Sequence, residues 1–424
     1  MNELPTVLEA ARCIADGSLT SEALVRACLD RIGEREPQVQ AWQHLDMDAA
    51  LNMARHLDRC GSGPLKGIPI GVKDIIDTAD MPTGYGSPLY ETFRPPRDAA
   101  CVALARHAGA LILGKTVTTE FAYFQPGKTR NPHNPDRTPG GSSSGSAAAV
   151  ASAMVPLAFG TQTAGSIIRP ASFCACVGYK PTFGFIDRTG VRPFADSLDT
   201  VGVFATTVQD AAFLTSVIAG RPNLRITNEE FRPRIGLTRT YAWEDAEPAT
   251  ALALDEAAAR LRAAGLEIRE VELPERWRGL LEAQKTIMAF EAARSHVPEM
   301  LTASDHLSAK LRELLDAGAL IAPEDYDAAK ALLAEARAGC SDVLDELDVL
   351  LTPSAPGEAP EGLGATGDPV FNRIWTALGV PCISIPGLTG PTGMPVGVQV
   401  VGRWGDDRRA LAAAAAIGQV PLSA

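Results

Sequence analysis

Histidine is scarce in this chain: there are six among 424 residues, and none stands in a segment with catalytic punctuation. His44, His56 and His107 fall in helix-like stretches, His296 and His306 in a charged helical region, and His133 in a turn rich in proline and asparagine. A serine hydroxyl is a weak nucleophile without a base, so a serine enzyme built on this chain must find its base elsewhere. Positive charge is also short. With 39 Lys and Arg against 51 Asp and Glu, the net charge is −12, which argues against nucleic acid as a partner and requires any acid-binding site to be a local positive spot. The eight cysteines show no framework of paired spacing, as expected in a reducing compartment. Cys174 and Cys176 are too close together for Cys-x-x-Cys metal spacing and read as small core residues, so no metal is expected. Long apolar runs are missing too: the weakly polar stretch 146–160 is too short to cross a bilayer and is expected to be a buried helix. The start, Met1 to Thr6, has no basic region followed by an apolar core, so no leader is expected and the location is read as cytoplasmic.

What is present is glycine and serine in two elbows. Pro139-Gly140-Gly141-Ser142-Ser143-Ser144-Gly145 opens an alanine-rich segment, and Gly160-Thr161-Gln162-Thr163-Ala164-Gly165-Ser166 closes it. Each elbow sets a small hydroxyl on a tight turn, where the absence of a Cβ lets a substrate carbonyl approach the backbone amides. This pairing reads as a nucleophile, Ser166, and a proton relay, Ser142. The amides of Thr163, Ala164, Gly165 and Ser166 are candidates for an oxyanion hole.

The candidate base is Lys73. It ends Gly67-Ile68-Pro69-Ile70-Gly71-Val72, whose composition predicts a short buried strand. Burial disfavours an ammonium and lowers its pKa, which is what a lysine needs to act as a base near neutrality. Strand alternation aims Asp74 away from Lys73, so that carboxylate is not expected to hold it.

These residues carry a resemblance. Gly140-Gly141-Ser142-Ser143, Gly165-Ser166 followed by Arg169-Pro170, and Gly71-Val72-Lys73-Asp74 are similar to the amidase signature family. The segments 111–116, 178–182, 348–353 and 397–402 look like further landmarks of it in order. The resemblance implies a Ser-cisSer-Lys triad of Ser166, Ser142 and Lys73, hydrolysis of an amide through a serine acyl-enzyme, and no cofactor. Two positions depart from the commoner pattern: Gln162 stands for an aspartate and Ala164 for a glycine, which leaves the shape of the hole open because alanine resists some φ > 0 geometries. Within the family the chain looks most like the malonamidases, through residues 73–78, 160–163, 168–170 and 366–376. That likeness implies that Arg169 holds a substrate carboxylate bidentately, as in malonamate, the alternative being a structural arginine paired with a buried acid. Ser143 and Gln162 are counted with Arg169 as candidate substrate contacts. A homodimer is implied by the resemblance only.

The resemblance argues for one α/β domain over residues 1–424, a central mixed twisted sheet with helices on both faces. Its parts are N-terminal helices (1–60), a catalytic core (64–207), a variable α/β and helical wall (232–347) and C-terminal strands with a last helix (348–424). Alternating strands and helices point the same way. Two other functions are weighed. One is transfer of ammonia to a partner chain, as in an amidotransferase complex, and the other is hydrolysis of aryl amides or carbamates. Gly109 to Thr116 satisfies the P-loop spacing, but its middle reads as a buried strand rather than a loop of exposed amides, so nucleotide binding is declined. Lys115 is read as a distant second candidate for the base, at a strand exit where solvent or a helix terminus would serve it.

Overall fold

The computed structural model describes residues 4–227 and 231–422. The first three residues of the amino-terminal segment, on which the expectation of no leader partly rests, lie outside them.

Two helices open the chain. Helix α1 (Val7–Asp16) starts at a reciprocal capping box between Thr6 and Glu9 and stops at Gly17, whose φ of 81° suits glycine. Helix α2 (Ser21–Val39) is capped by Thr20, and Leu24, Val25, Cys28, Leu29 and Ile32 form its buried stripe. The N-terminal part is not helical alone: strand β1 (Trp42–Leu45), which contains His44, precedes helix α3 (Met47–Cys60). Next come β2 (Pro69–Lys73), α4 (Ala100–His107), β3 (Leu111–Thr116), α5 (Ser144–Ala151), β4 (Leu157–Gln162), α6 (Ile168–Cys174), β5 (Val177–Lys180), β6 (Thr200–Ala205) and α7 (Val208–Ile218). The variable part holds β7 (Arg234–Leu237), α8 (Pro248–Ala263), β8 (Glu267–Glu270), α9 (Leu280–Ser295), α10 (Val297–Ala303), α11 (Ala309–Ala319), α12 (Pro323–Ala338) and α13 (Cys340–Val343). Strand β9 (Val349–Pro353), α14 (Val370–Leu378), β10 (Cys382–Thr389), β11 (Pro395–Val401) and α15 (Asp407–Gly418) complete it.

All these strands join one mixed sheet in the order β1-β3-β2-β4-β6-β5-β10-β11-β9-β7-β8. Helices flank it, and the fold is mixed α/β. Strands β3, β2 and β4 run parallel and are buried along their length, which accounts for their continuous apolar character. The chain passes from β2 to β3 on one side and then back across to β4 on the other. Such a reversal leaves a crevice at the carboxyl ends of the strands, and Lys73 and Gln162 end β2 and β4 there.

One expected helix is shorter than its composition implied. The stretch 146–160 divides into the end of α5 and the start of β4, because Ala153 takes a left-handed φ of 55° and Pro156 follows. Lys115 is also placed differently from its expectation. It lies inside β3, wholly buried, 3.2 Å from Asp74 and bonded to the Ile76 carbonyl and the Thr83 hydroxyl. Solvent does not serve it; a carboxylate does. Cys174 and Cys176 are core residues, and all eight cysteines are free. No helix of the described residues is long and apolar enough to cross a membrane.

Candidate active site

Lys73 is completely buried, and its Nζ donates 2.7 Å hydrogen bonds to Ser142 Oγ and Thr161 Oγ1. No carboxylate among the described residues forms an ion pair with it. Asp74, its chain neighbour, is committed to Lys115 on the other side of the strand. Burial pulls the Lys73 pKa well below the ordinary lysine value, and the charge of Asp199 only partly opposes this. The result is an amine biased toward its neutral form and hydrogen-bonded to a serine hydroxyl.

Ser142 follows a cis peptide bond from Gly141 and stands just before α5. Ser142 and Ser166 line one small cavity together with Thr163, Ala164 and Arg169. Phe124 and Phe194 complete an aromatic side, and Met288 of α9 brings the helical wall to the cavity. The segment 163–166 links the end of β4 to α6, and its polar groups divide by direction. Its first three carbonyls are taken: that of Thr163 by Gln284 Nε2 at 3.0 Å, that of Ala164 by Thr376 Oγ1 at 2.6 Å, and that of Gly165 by the Arg169 amide at 3.0 Å. The amides of Ala164, Gly165 and Ser166 donate to nothing among the described residues. Three uncommitted donors beside a serine can receive a developing oxyanion.

The substitution of alanine for glycine at 164 imposes no backbone strain, since neither Ala164 nor Gly165 has a positive φ. Gly165 is required for a different reason. A Cβ there would lie 2.3 Å from Asn372 Oδ1 and 2.7 Å from Pro369 Cβ. Gly165→Ala should therefore lower stability by about 1–3 kcal/mol through overpacking and reduce kcat by displacing the neighbouring amides. Denaturant midpoints and steady-state rates would register both effects, and an unchanged midpoint would contradict the crowding.

Two expected substrate contacts are employed elsewhere. Gln162 is wholly buried; its Oε1 accepts from the amides of Ile167 at 2.8 Å and Ile168 at 3.0 Å, and its Nε2 donates to Thr376. It caps the start of α6. Ser143 Oγ bonds to the Thr161 carbonyl and amide, tying the start of α5 to β4. Neither lines the cavity.

Arg169 does line it. Its guanidinium donates to the carbonyls of Gly367 and Gly141 and to the Thr366 hydroxyl, and lies 5.7 Å from the Phe124 ring centroid. Burial draws its pKa down to about 9, so it stays charged at neutral pH. Yet it forms no ion pair among the described residues, and its buried Nε has no acceptor. The charge of Asp368 acts on it without an ion pair forming, so a buried cation, costly when not directly paired, keeps donor capacity that an anionic ligand would use.

Sequence reasoning missed several residues. Thr161, which bonds Lys73, alternates with the expected Thr163 along Gly160-Thr161-Gln162-Thr163, a period that was available to be read. Asp199, which accepts from the Thr163 hydroxyl at 2.5 Å, and Gln284 carried no local signal, and Arg373 stood within the landmark 366–376 without a role assigned to it. None of the six histidines lines the cavity; His296 packs behind Phe194, its pKa pushed down to about 4 by burial.

Comparison with known proteins adds the following. The family model described as Amidase matches residues 23–411. A glutamyl-tRNA(Gln) amidotransferase component of Acidobacterium capsulatum is 32% identical, the match covering 96% of this chain and 98% of the relative. A crystal structure of an amidase superposes with a TM-score of 0.88 at 33% identity, covering 97% and 99% of the two chains. Peptide amidase from Stenotrophomonas maltophilia superposes with a TM-score of 0.82 at 29% identity, covering 99% and 97%.

Proposed function

The chain belongs to the amidase family, and from that premise we propose that it cleaves a small linear amide with Ser166 as nucleophile, Ser142 as relay and Lys73 as base. The observation that carries this reading is the buried Lys73 amine, hydrogen-bonded to Ser142 Oγ at 2.7 Å with no acid holding it. Neutral Lys73 draws the proton of Ser142, which draws that of Ser166 as its oxygen attacks the amide carbon. The amides at 164–166, with that of Thr163, receive the oxyanion. As the intermediate collapses, the relay returns its proton to the leaving nitrogen. Water, deprotonated through the same chain, then releases the acyl group as a carboxylate.

The buried guanidinium of Arg169, lining the cavity without an ion pair among the described residues, supports a substrate that carries its own carboxylate, such as malonamate, held at one end while the amide reaches Ser166. The test is ammonia release by the purified chain from paired amides of equal length, with and without a terminal carboxylate. Preference for the acid-bearing member is expected; turnover of neither would count against the reading.

A second reading is favoured by the curated relatives, which include amidotransferase components similar over nearly the whole chain. The chemistry at Ser166 would be shared, but the ammonia would pass to a partner chain. That reading expects stable co-purification with another protein and little turnover alone. The hydrolase reading expects full turnover from the isolated chain, as the homodimer proposed for it or otherwise, which light scattering would measure. Eight free cysteines fit the cytoplasmic location that we propose with it.

A further inference from the structure

Thr163 opens the amide-lined segment and is gripped from two sides by buried residues, a carboxylate on one side and an amide backed by an arginine on the other. Its hydroxyl donates to Asp199 Oδ1 at 2.5 Å, and Asp199 Oδ2 is in turn fixed by the amides of Phe194 at 2.8 Å and Ala195 at 3.0 Å. Its carbonyl accepts from Gln284 Nε2 at 3.0 Å, and Gln284 Oε1 accepts from Arg373 Nη1 at 2.6 Å. Gln284 and Asp199 are at most 7% exposed, and so are Thr163 and Arg373. Arg373 forms no ion pair among the described residues, although the charges of Asp368 and Glu282 act on it, and its short bond to Gln284 polarises that amide and strengthens the bond to Thr163. These grips come from separate parts of the chain: the loop before β6, helix α9 of the variable wall, and α14.

We infer that Asp199 and the Gln284–Arg373 pair are positioning residues, which hold Thr163 so that the following amides stay aimed at the reacting carbonyl. This rests on the reading of 163–166 as the oxyanion-binding segment. A donor that must meet charge only as it develops has to be fixed beforehand, because reorganisation during the reaction would forfeit its advantage. The carbonyl of Thr163 is the natural handle, since it belongs to the same peptide unit as the Ala164 amide. Turning that unit toward Gln284 turns the Ala164 N–H the opposite way. The variable wall thereby takes part in catalysis at a distance: α9 both covers the cavity through Met288 and sets the first peptide of the hole through Gln284.

The test uses near-isosteric changes in the full chain. Gln284→Glu keeps an acceptor for Arg373 but replaces the donor facing the Thr163 carbonyl with an oxygen; Asp199→Asn removes the charge that holds the Thr163 hydroxyl. Gln284→Met serves as a second variant should the first fold poorly, and Ser166→Ala is the control. With the wild-type enzyme's best amide substrate, each positioning variant should lose roughly tenfold to a hundredfold in kcat with KM within about threefold. Affinity for phenylboronic acid, which adds the Ser166 oxygen to boron and mimics the tetrahedral state, should fall by the same factor as kcat. The double variant should lose less than the product of the singles, because both act through one residue. A kcat retained in Gln284→Glu and Asp199→Asn, or lost with boronate affinity unchanged, overturns the inference. Retained turnover in Ser166→Ala instead defeats the reading beneath it, so the two failures are distinguishable.

Discussion

Lys73→Met is expected to abolish amide hydrolysis, by on the order of 10⁴-fold or more, in a protein that remains folded. The reason lies in the position of the amine. It is wholly buried against Ser142 and Thr161, and no other base among the described residues bonds to either serine. Ser166→Ala should match this loss, whereas Ser142→Ala should leave a small residue of activity. Full activity in any of the three would contradict the relay. The pH dependence follows from the same burial. Since Lys73 must be neutral to accept a proton, kcat/KM should rise as pH increases through its depressed pKa and fall away in acid. Stability carries the complementary sign. Between the folded pKa and the ordinary lysine value near 10.5, the unfolded chain binds a proton that the folded chain refuses. Wild-type stability therefore falls with decreasing pH across that window, by up to roughly 1.4 kcal/mol per pH unit. Lys73→Met lacks this term, so its stability relative to wild type should increase as pH falls through the window. Parallel curves in urea titrations at several pH values would show that Lys73 is charged in the native protein.

Much of this site was legible from local pattern, and the exceptions have physical reasons. A lysine ending a strand buried on both faces is visible because such strands are continuous apolar runs, and β2 is one. The elbows at Ser142 and Ser166 show themselves through glycine, as the close approaches at Gly141 and Gly165 explain. The surroundings of Lys115 were not legible because its partner Asp74 comes from another part of the chain, and no local pattern reports such a pairing. The α5–β4 boundary was hidden by alanine, which serves helix and tightly packed strand alike, with the break falling at Ala153 and Pro156. Gln162 stands among site residues in sequence, but a buried amide is claimed by whichever backbone groups lack partners, here the first amides of α6. Asp199, Gln284 and Arg373 meet at Thr163 only through the tertiary fold, and their side chains have no periodicity to betray them.

Replacing Arg169 should change which amides the enzyme prefers more than any other single substitution. The guanidinium has two tasks that one variant can separate. Its bond to the Gly141 carbonyl, 2.7 Å long, braces the residue before Ser142, so Arg169→Met should lower kcat for every substrate by a common factor. Its charge, not held in any ion pair among the described residues, distinguishes substrates bearing an acid. Losing one partner of a desolvated charge pair costs about 2–5 kcal/mol, so the ratio of kcat/KM for the acid-bearing amide to that for its neutral counterpart should fall about 30-fold or more. Arg169→Lys keeps the charge but not the planar fork, and should recover part of that ratio while the common loss persists. Malonate should raise the thermal midpoint of the wild-type protein and not that of Arg169→Met, since only a ligand bound to the native state stabilises it. If the two amides suffer equally in Arg169→Met and malonate still stabilises the variant, the arginine is a brace alone, and the carboxylate, if one is recognised, must be met by another group. Arg373 is the group to examine then: it too is buried without an ion-pair partner among the described residues, and Arg169 feels its charge.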